Sequence, residues 1–150
     1  MELEAPSISQ LSTVITQVAG PAFLLAAEAE FVGVLVSRLD RVVDRSRFLQ
    51  SLSDDDPQVS LRSELPTLHK RAVCLHRSIY WTVGSGIVTS LLVILAFATA
   101  MLHFKHEYGA AIMFTVALTM FAAALIAFAR EIRLAFSEVE QFSSSPGDGD

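Results

Sequence analysis

Apolar positions along this chain gather into three long blocks, and the charged positions fall between and beyond them. Ile79 to Leu102 is 24 residues without a formal charge, and Tyr108 to Ala129 is another 22, each above the ~20 that a helix needs to cross a hydrocarbon core. Five residues, HFKHE, separate the two, so the pattern predicts a tight antiparallel hairpin of spanning helices. The first block, Leu11 to Ser37, is interrupted by Glu28 and Glu30. An acid near the bilayer centre costs about 2.5–3.5 kcal/mol, against a gain of about 0.3–0.6 for each Leu, Ile, Phe or Val. The apolar residues of this block offset one such charge, and two bring insertion to the margin. The acidic start, MELEAPSISQ, lacks the basic segment of a signal peptide, so this block too is read as a span.

The helical pattern continues past the apolar blocks. Leu35, Leu39, Val42, Ser46 and Leu49 step alternately by four and three, the seam of a packed helix. A break follows at Ser51 to Pro57, and then Leu61, Leu65, Leu68, Ala72, Leu75 and Ile79 repeat the rhythm. Pro66 is tolerated in a first turn, which sets the start of the second helix near Ser63. Phe128, Ile132, Ala135, Val139 and Phe142 carry the same step out of the third block. The expected fold is an all-α membrane protein, three transmembrane helices with cytoplasmic helical extensions forming a stalk. As one membrane domain it has spans near 13–37, 79–102 and 108–129, a cytoplasmic hairpin at 38–78, a cytoplasmic helix at 130–142 and a disordered tail at 143–150.

Composition and charge orient this arrangement. The chain is 52% hydrophobic and 18% charged, too apolar for an ordinary soluble protein of 150 residues. Eight of its eleven Lys and Arg lie between Arg38 and Arg77, and none precedes them. A basic excess marks the cytoplasmic side. The N-terminus is therefore expected outside, and the 38–77 segment and the C-terminus inside. Tyr80 and Trp81, and Phe104 and Tyr108, fall where aromatic belts are expected. The net charge of −5 comes largely from the termini and one loop and implies no nucleic-acid partner. The lone Cys74 gives no disulfide framework and reads as a packed helix residue.

Pairing the first two extensions antiparallel, with Leu49 near Leu61 and Leu35 near Leu75, sets Asp40 near Lys70 and Arg47 near Glu64. Asp44 can meet Arg41 or Arg47 at a spacing of three. The segment Arg38, Asp40, Arg41, Asp44, Arg45 and Arg47 is thus expected to hold the stalk together, with anionic lipid headgroups as company for its arginines.

The blocks RLDRVVDRSRFL (Arg38 to Leu49) and FAREIRLAF (Phe128 to Phe136), set around a two-span hairpin, resemble the bacterial membrane family known as domain of unknown function 2721. The resemblance runs from about Ile15 to Val139 and is carried by R-L-x-R-V-V-D-R-x-R at Arg38 to Arg47 and R-E-I-R at Arg130 to Arg133. It implies a multi-pass protein of a bacterial inner membrane and supplies no activity.

Glu28 is the leading candidate for chemistry. It lies seven residues before Leu35, on the stripe that becomes the seam, and an ionisable group facing a bundle interior marks a functional site, an ion contact or a protonatable switch. The plain alternative is a protonated or Thr-bonded glutamate, since antiparallel pairing brings it near Thr82 and Ser85. Glu30 is about 200° away around the helix, on a face with Ala26, Gly33 and Ser37, where small residues allow a second helix close approach. His103, His106 and Glu107, and the pair His69 and His76, fall short of the converging ligands that a metal site needs. Gly20-Pro21 is expected to kink or loosen the first helix, and Gly84, Gly86, Thr89, Ser90, Ala123 and Ala127 to give close-packing faces. No HExxH, phosphate-binding glycine loop or nucleophile–base pair occurs, so neither enzyme activity nor a cofactor is expected. Three helices enclose no pore. Ion conduction therefore requires a homo-oligomer, with Glu28 or Glu30 as the acidic contact. The alternative is a non-conducting scaffold or regulatory protein whose stalk docks a cytoplasmic partner.

Overall fold

The computed structural model describes residues 8–102 and 107–143. They form three α-helices, α1 (Ile8–Ser51), α2 (Leu65–Leu102) and α3 (Glu107–Ser143), with a short 3-10 helix, Val59–Glu64, leading into α2. No strand occurs among the described residues. The helices have 44, 38 and 37 residues. At 1.5 Å per residue they are about 55–66 Å long, roughly twice a ~30 Å hydrocarbon core. All three are long and apolar enough to cross a membrane, and none breaks between its apolar and its charged part. The expected outer loop around Lys105 and the tail after Ser143 lie outside the described residues.

Local chemistry accounts for the boundaries. α1 ends where the sequence turns to Ser, Asp and Pro. The Ser51 hydroxyl donates to the Phe48 carbonyl at 2.7 Å, and the Gln58 N–H donates to Asp56 Oδ1 at 2.8 Å across the turn. Pro66 is the second residue of α2, where its missing N–H leaves no helical bond unmade. Arg62 closes the end of α1 by donating to the Leu49 carbonyl at 3.4 Å and to the Leu52 carbonyl, acceptors that a helix C-terminus leaves open. At Gly20-Pro21 the helix is not interrupted, and Pro21 is buried.

The chain divides into two compact units, and each helix contributes to both. The first joins α1 up to Val32 with Trp81–Ala122; the second joins Gly33–Tyr80 with α3 from Ala123.

In the first unit the interior is small and polar. Glu28, Thr82, Ser85, Thr89, Leu92 and Ala117 are buried, while Phe23, Ile87, Leu91, Ile94 and Ile112 are exposed. Large side chains turned outward around a hydroxyl-lined interior reverse the arrangement that water favours and fit an apolar solvent. The end of the Met120 side chain of α3 packs against Gly84 of α2. A Cβ on Gly84 would lie 2.5 Å from Met120 Cε. Phe31 and Phe121 close the unit edge to face, with centroids 5.7 Å apart.

The second unit has a leucine interior. Leu35, Val42 and Leu49 of α1 and Leu68 and Leu75 of α2 are buried, and the other positions of the expected four-three seam, Leu39, Ser46, Leu61, Leu65, Ala72 and Ile79, are half-buried. The third seam is corrected. α3 buries Ala124, Ala127 and Glu131, and the expected Phe128, Ile132 and Ala135 are only half-buried. The side chains of Val139 and Phe142 lie outside the described residues. The seam is displaced by one position, which is 100° about the axis. Two contacts orient α3: the Ser78 hydroxyl donates to the Ala124 carbonyl at 2.8 Å, and Glu131 takes the inward position in ion pairs.

Candidate functional site

The heptad interval that buries Leu35, Val42 and Leu49 extends back along α1 to Glu28, which is 3% exposed. The expectation that Glu28 turns inward toward Thr82 and Ser85 matches its surroundings. Its Oε1 is hydrogen-bonded to the Ser85 hydroxyl, which also lies 2.7 Å from the Ala117 carbonyl oxygen of α3. The Thr89 hydroxyl donates back to the Ser85 carbonyl at 3.0 Å, so α2 presents a row of hydroxyls on its buried face. Among the described residues, Glu28 Oε2 has no hydrogen-bond partner. A Cβ on Gly86 would lie 3.4 Å from that oxygen, at ordinary contact distance. Glu28 lines a groove of about 400 Å³ between α1 and α2, with apolar residues including Leu25, Val32 and Leu91 and with Thr82 and Ser90. Among the described residues, no charged side chain besides Glu28 lines it.

Glu30, by contrast, is exposed, together with Ala26, Gly33 and Ser37. A Cβ on Gly33 would meet nothing within 4 Å. These residues share an outward strip, as their spacing predicts, and Glu30 is not brought to Glu28.

A second buried acid went unrecognised in the sequence. Glu131 is fully buried and joins all three helices of its unit. Arg71 of α2 donates to its Oε1 from Nε at 3.1 Å and from Nη2 at 3.0 Å, and Arg38 of α1 donates to its Oε2 at 3.2 Å. The Arg38 guanidinium also sits 5.1 Å from the Phe128 ring centroid, a cation–π contact. The clamp holds two cations on one anion. Glu131 stands seven residues after Ala124 and fourteen after Ala117, a signal hidden by the arginines flanking it in R-E-I-R.

Of the charged segment, Arg38 and Arg45 have structural partners. Glu64 is held by Arg45, through Nε and Nη2 at 3.0–3.2 Å, and not by Arg47 as pairing of the extensions suggested. Positions 45 and 47 are about 200° apart, so only one of the two can face Glu64. Asp40, Arg41, Asp44 and Arg47 are exposed, and the expected pairs Asp40 with Lys70 and Asp44 with Arg41 or Arg47 do not close.

Two grooves flank this part of α1 and α2. One of about 560 Å³ is lined by Leu39, Val43, Ala72, His76, Arg77 and Tyr80, and the other, about 450 Å³, by residues including Ser46, Arg47 and His69. His69 and His76 thus sit at separate grooves, both exposed. Cys74 is half-buried and free. No group of three metal-ligating side chains occurs among the described residues, and His103 and His106 lie outside them.

Three long helices, apolar outside and hydroxyl-lined around a buried acid, define the class: an all-α protein built for a membrane. Residues 18–141 match the family model described as Protein of unknown function (DUF2721), and the chain belongs to that family. No curated protein and no solved structure matches it.

Proposed function

We propose that this protein is a homo-oligomeric multi-pass membrane assembly in which Glu28 provides the acidic contact for a small cation. The observation that carries this reading is a Glu28 only 3% exposed, one carboxyl oxygen of which has no partner among the described residues, in a groove that no other charged side chain of those residues lines. An acid kept in such surroundings is expensive and by default functional. The strip of Ala26, Glu30, Gly33 and Ser37 supplies the surface between copies, since small residues let helices pack closely. Around such an assembly the Glu30 carboxylates form a ring. The basic excess between Arg38 and Arg77 orients the chain in a bacterial inner membrane, with that segment and the C-terminus cytoplasmic and the N-terminus outside. Exposed Arg41 and Arg47 meet anionic headgroups, each worth roughly 1 kcal/mol.

The test is ion flux. Protein reconstituted in vesicles is expected to pass a monovalent cation down its gradient, and Glu28→Gln or Glu30→Gln to change the rate. Flux no greater than in protein-free vesicles rejects the reading. A second reading, a non-conducting scaffold whose charged half docks another protein, is favoured by the apolar groove at Leu39, Val43, Ala72 and Tyr80. The oligomeric state in detergent divides the two, because a monomer is compatible only with the scaffold.

A further inference from the structure

Ser85 stands between two oxygens, and its hydrogen count decides the state of Glu28. Its Oγ is within hydrogen-bond distance of both Glu28 Oε1 and the Ala117 carbonyl oxygen, the latter at 2.7 Å. Oxygens this close are held together by a hydrogen lying between them, and 2.7 Å is the length of an unshared O–H···O bond. Two such gaps need two hydrogens. A serine hydroxyl carries one, and a main-chain carbonyl carries none. A neutral carboxyl supplies the second hydrogen.

We propose that Glu28 is held as the neutral acid, a proton-binding site, with its hydrogen on Oε1 donated to Ser85 Oγ and the Ser85 hydrogen donated to the Ala117 carbonyl. This also accounts for the partnerless Oε2. In the neutral acid that atom is a carbonyl oxygen, far cheaper to leave dry than one end of an anion. The surroundings agree from every side. α2 presents the Ser85 hydroxyl, α3 presents a main-chain carbonyl, and among the described residues no cationic side chain lines the groove to balance a carboxylate. The relay joins α1, α2 and α3 through one side chain of each of the first two. The inference rests on reading Glu28 as the cation contact and names the cation as a proton.

Infrared spectroscopy of the full chain in lipid vesicles tests it. A protonated carboxyl shows a C=O stretch at higher frequency than amide or carboxylate bands. Wild type is expected to show that band, Glu28→Gln to lose it, and Ser85→Ala to retain it shifted to higher frequency, because the acid has lost its acceptor. Should the Gln variant not fold, the Ser85→Ala shift alone assigns the band. A wild-type spectrum without it, or a band unmoved by either substitution, overturns the proposal. The outcome is separable from the flux test: a Glu28 band without flux leaves the proton site standing and rejects conduction, and flux without the band does the opposite.

Discussion

Replacing Glu131 by glutamine removes the charge from the three-helix clamp while keeping its volume. The acid accepts three hydrogen bonds, two from Arg71 at 3.0–3.1 Å and one from Arg38 at 3.2 Å. Breaking a fully buried pair costs about 3–5 kcal/mol, mostly because a charge is left without compensation. Here the charges left behind are arginines with side chains 19% and 41% exposed, so both retain water and the cost falls. The reduction is larger for Arg38, as for a surface pair. The expected loss for Glu131→Gln is about 2–3 kcal/mol, with about 1.5–2 for Arg71→Ala and about 0.5–1 for Arg38→Ala. Equilibrium unfolding in mixed micelles measures it, with exposed Arg41→Ala as the control. A Glu131→Gln variant within about 0.5 kcal/mol of wild type would refute the view that this acid ties the helices together, and an Arg38 loss as large as that of Arg71 would refute the discount for exposure.

Glutamine at 28 reproduces the neutral acid's donor toward Ser85, so Glu28→Gln is expected to unfold within about 1 kcal/mol of wild type, whereas Ser85→Ala, which strips a buried carboxyl of its partner, costs about 1–3 kcal/mol. The same unfolding measurement reads both. Arg45→Ala should lose about 0.5–1 kcal/mol through Glu64, and Arg47→Ala nothing measurable; the reverse order would restore the pairing that the structure replaces. Gly33→Leu is expected to leave the fold intact, since the position faces open space, and to lower the oligomeric mass seen by light scattering; an unchanged mass removes that strip as an interface. Leu35→Ala and Leu75→Ala, both fully buried, should each cost about 2–5 kcal/mol in the same assay.

The two buried acids show where reading a sequence succeeds and where it stops. Glu28 was legible because it stands a full heptad before Leu35 in a helix whose inward face is marked by leucines in its charged half. Glu131 was not, because α3 buries alanines and turns large apolar residues outward. Choosing the core face of that helix by its greasiest stripe therefore selects a neighbouring face. The Glu64 partner was missed for a related reason: Arg45 and Arg47 are equivalent as charges, and only the rotation of α1 about its axis distinguishes them.

The sequence by itself determined three helices, their lengths, the break at Ser51 to Pro57, the leucine seam of the first two, and their fitness for a membrane. Each of these depends on residues close in the chain or on summed hydropathy, both of which are readable in one dimension. Tertiary structure alone decided the phase of α3, the Arg38–Glu131–Arg71 clamp, the choice of Arg45 for Glu64, and the serine shared by Glu28 and Ala117. Those contacts join residues 19 to 93 positions apart. A rotation of one residue, 100° about a helix axis, makes or abolishes each of them while leaving every helix intact.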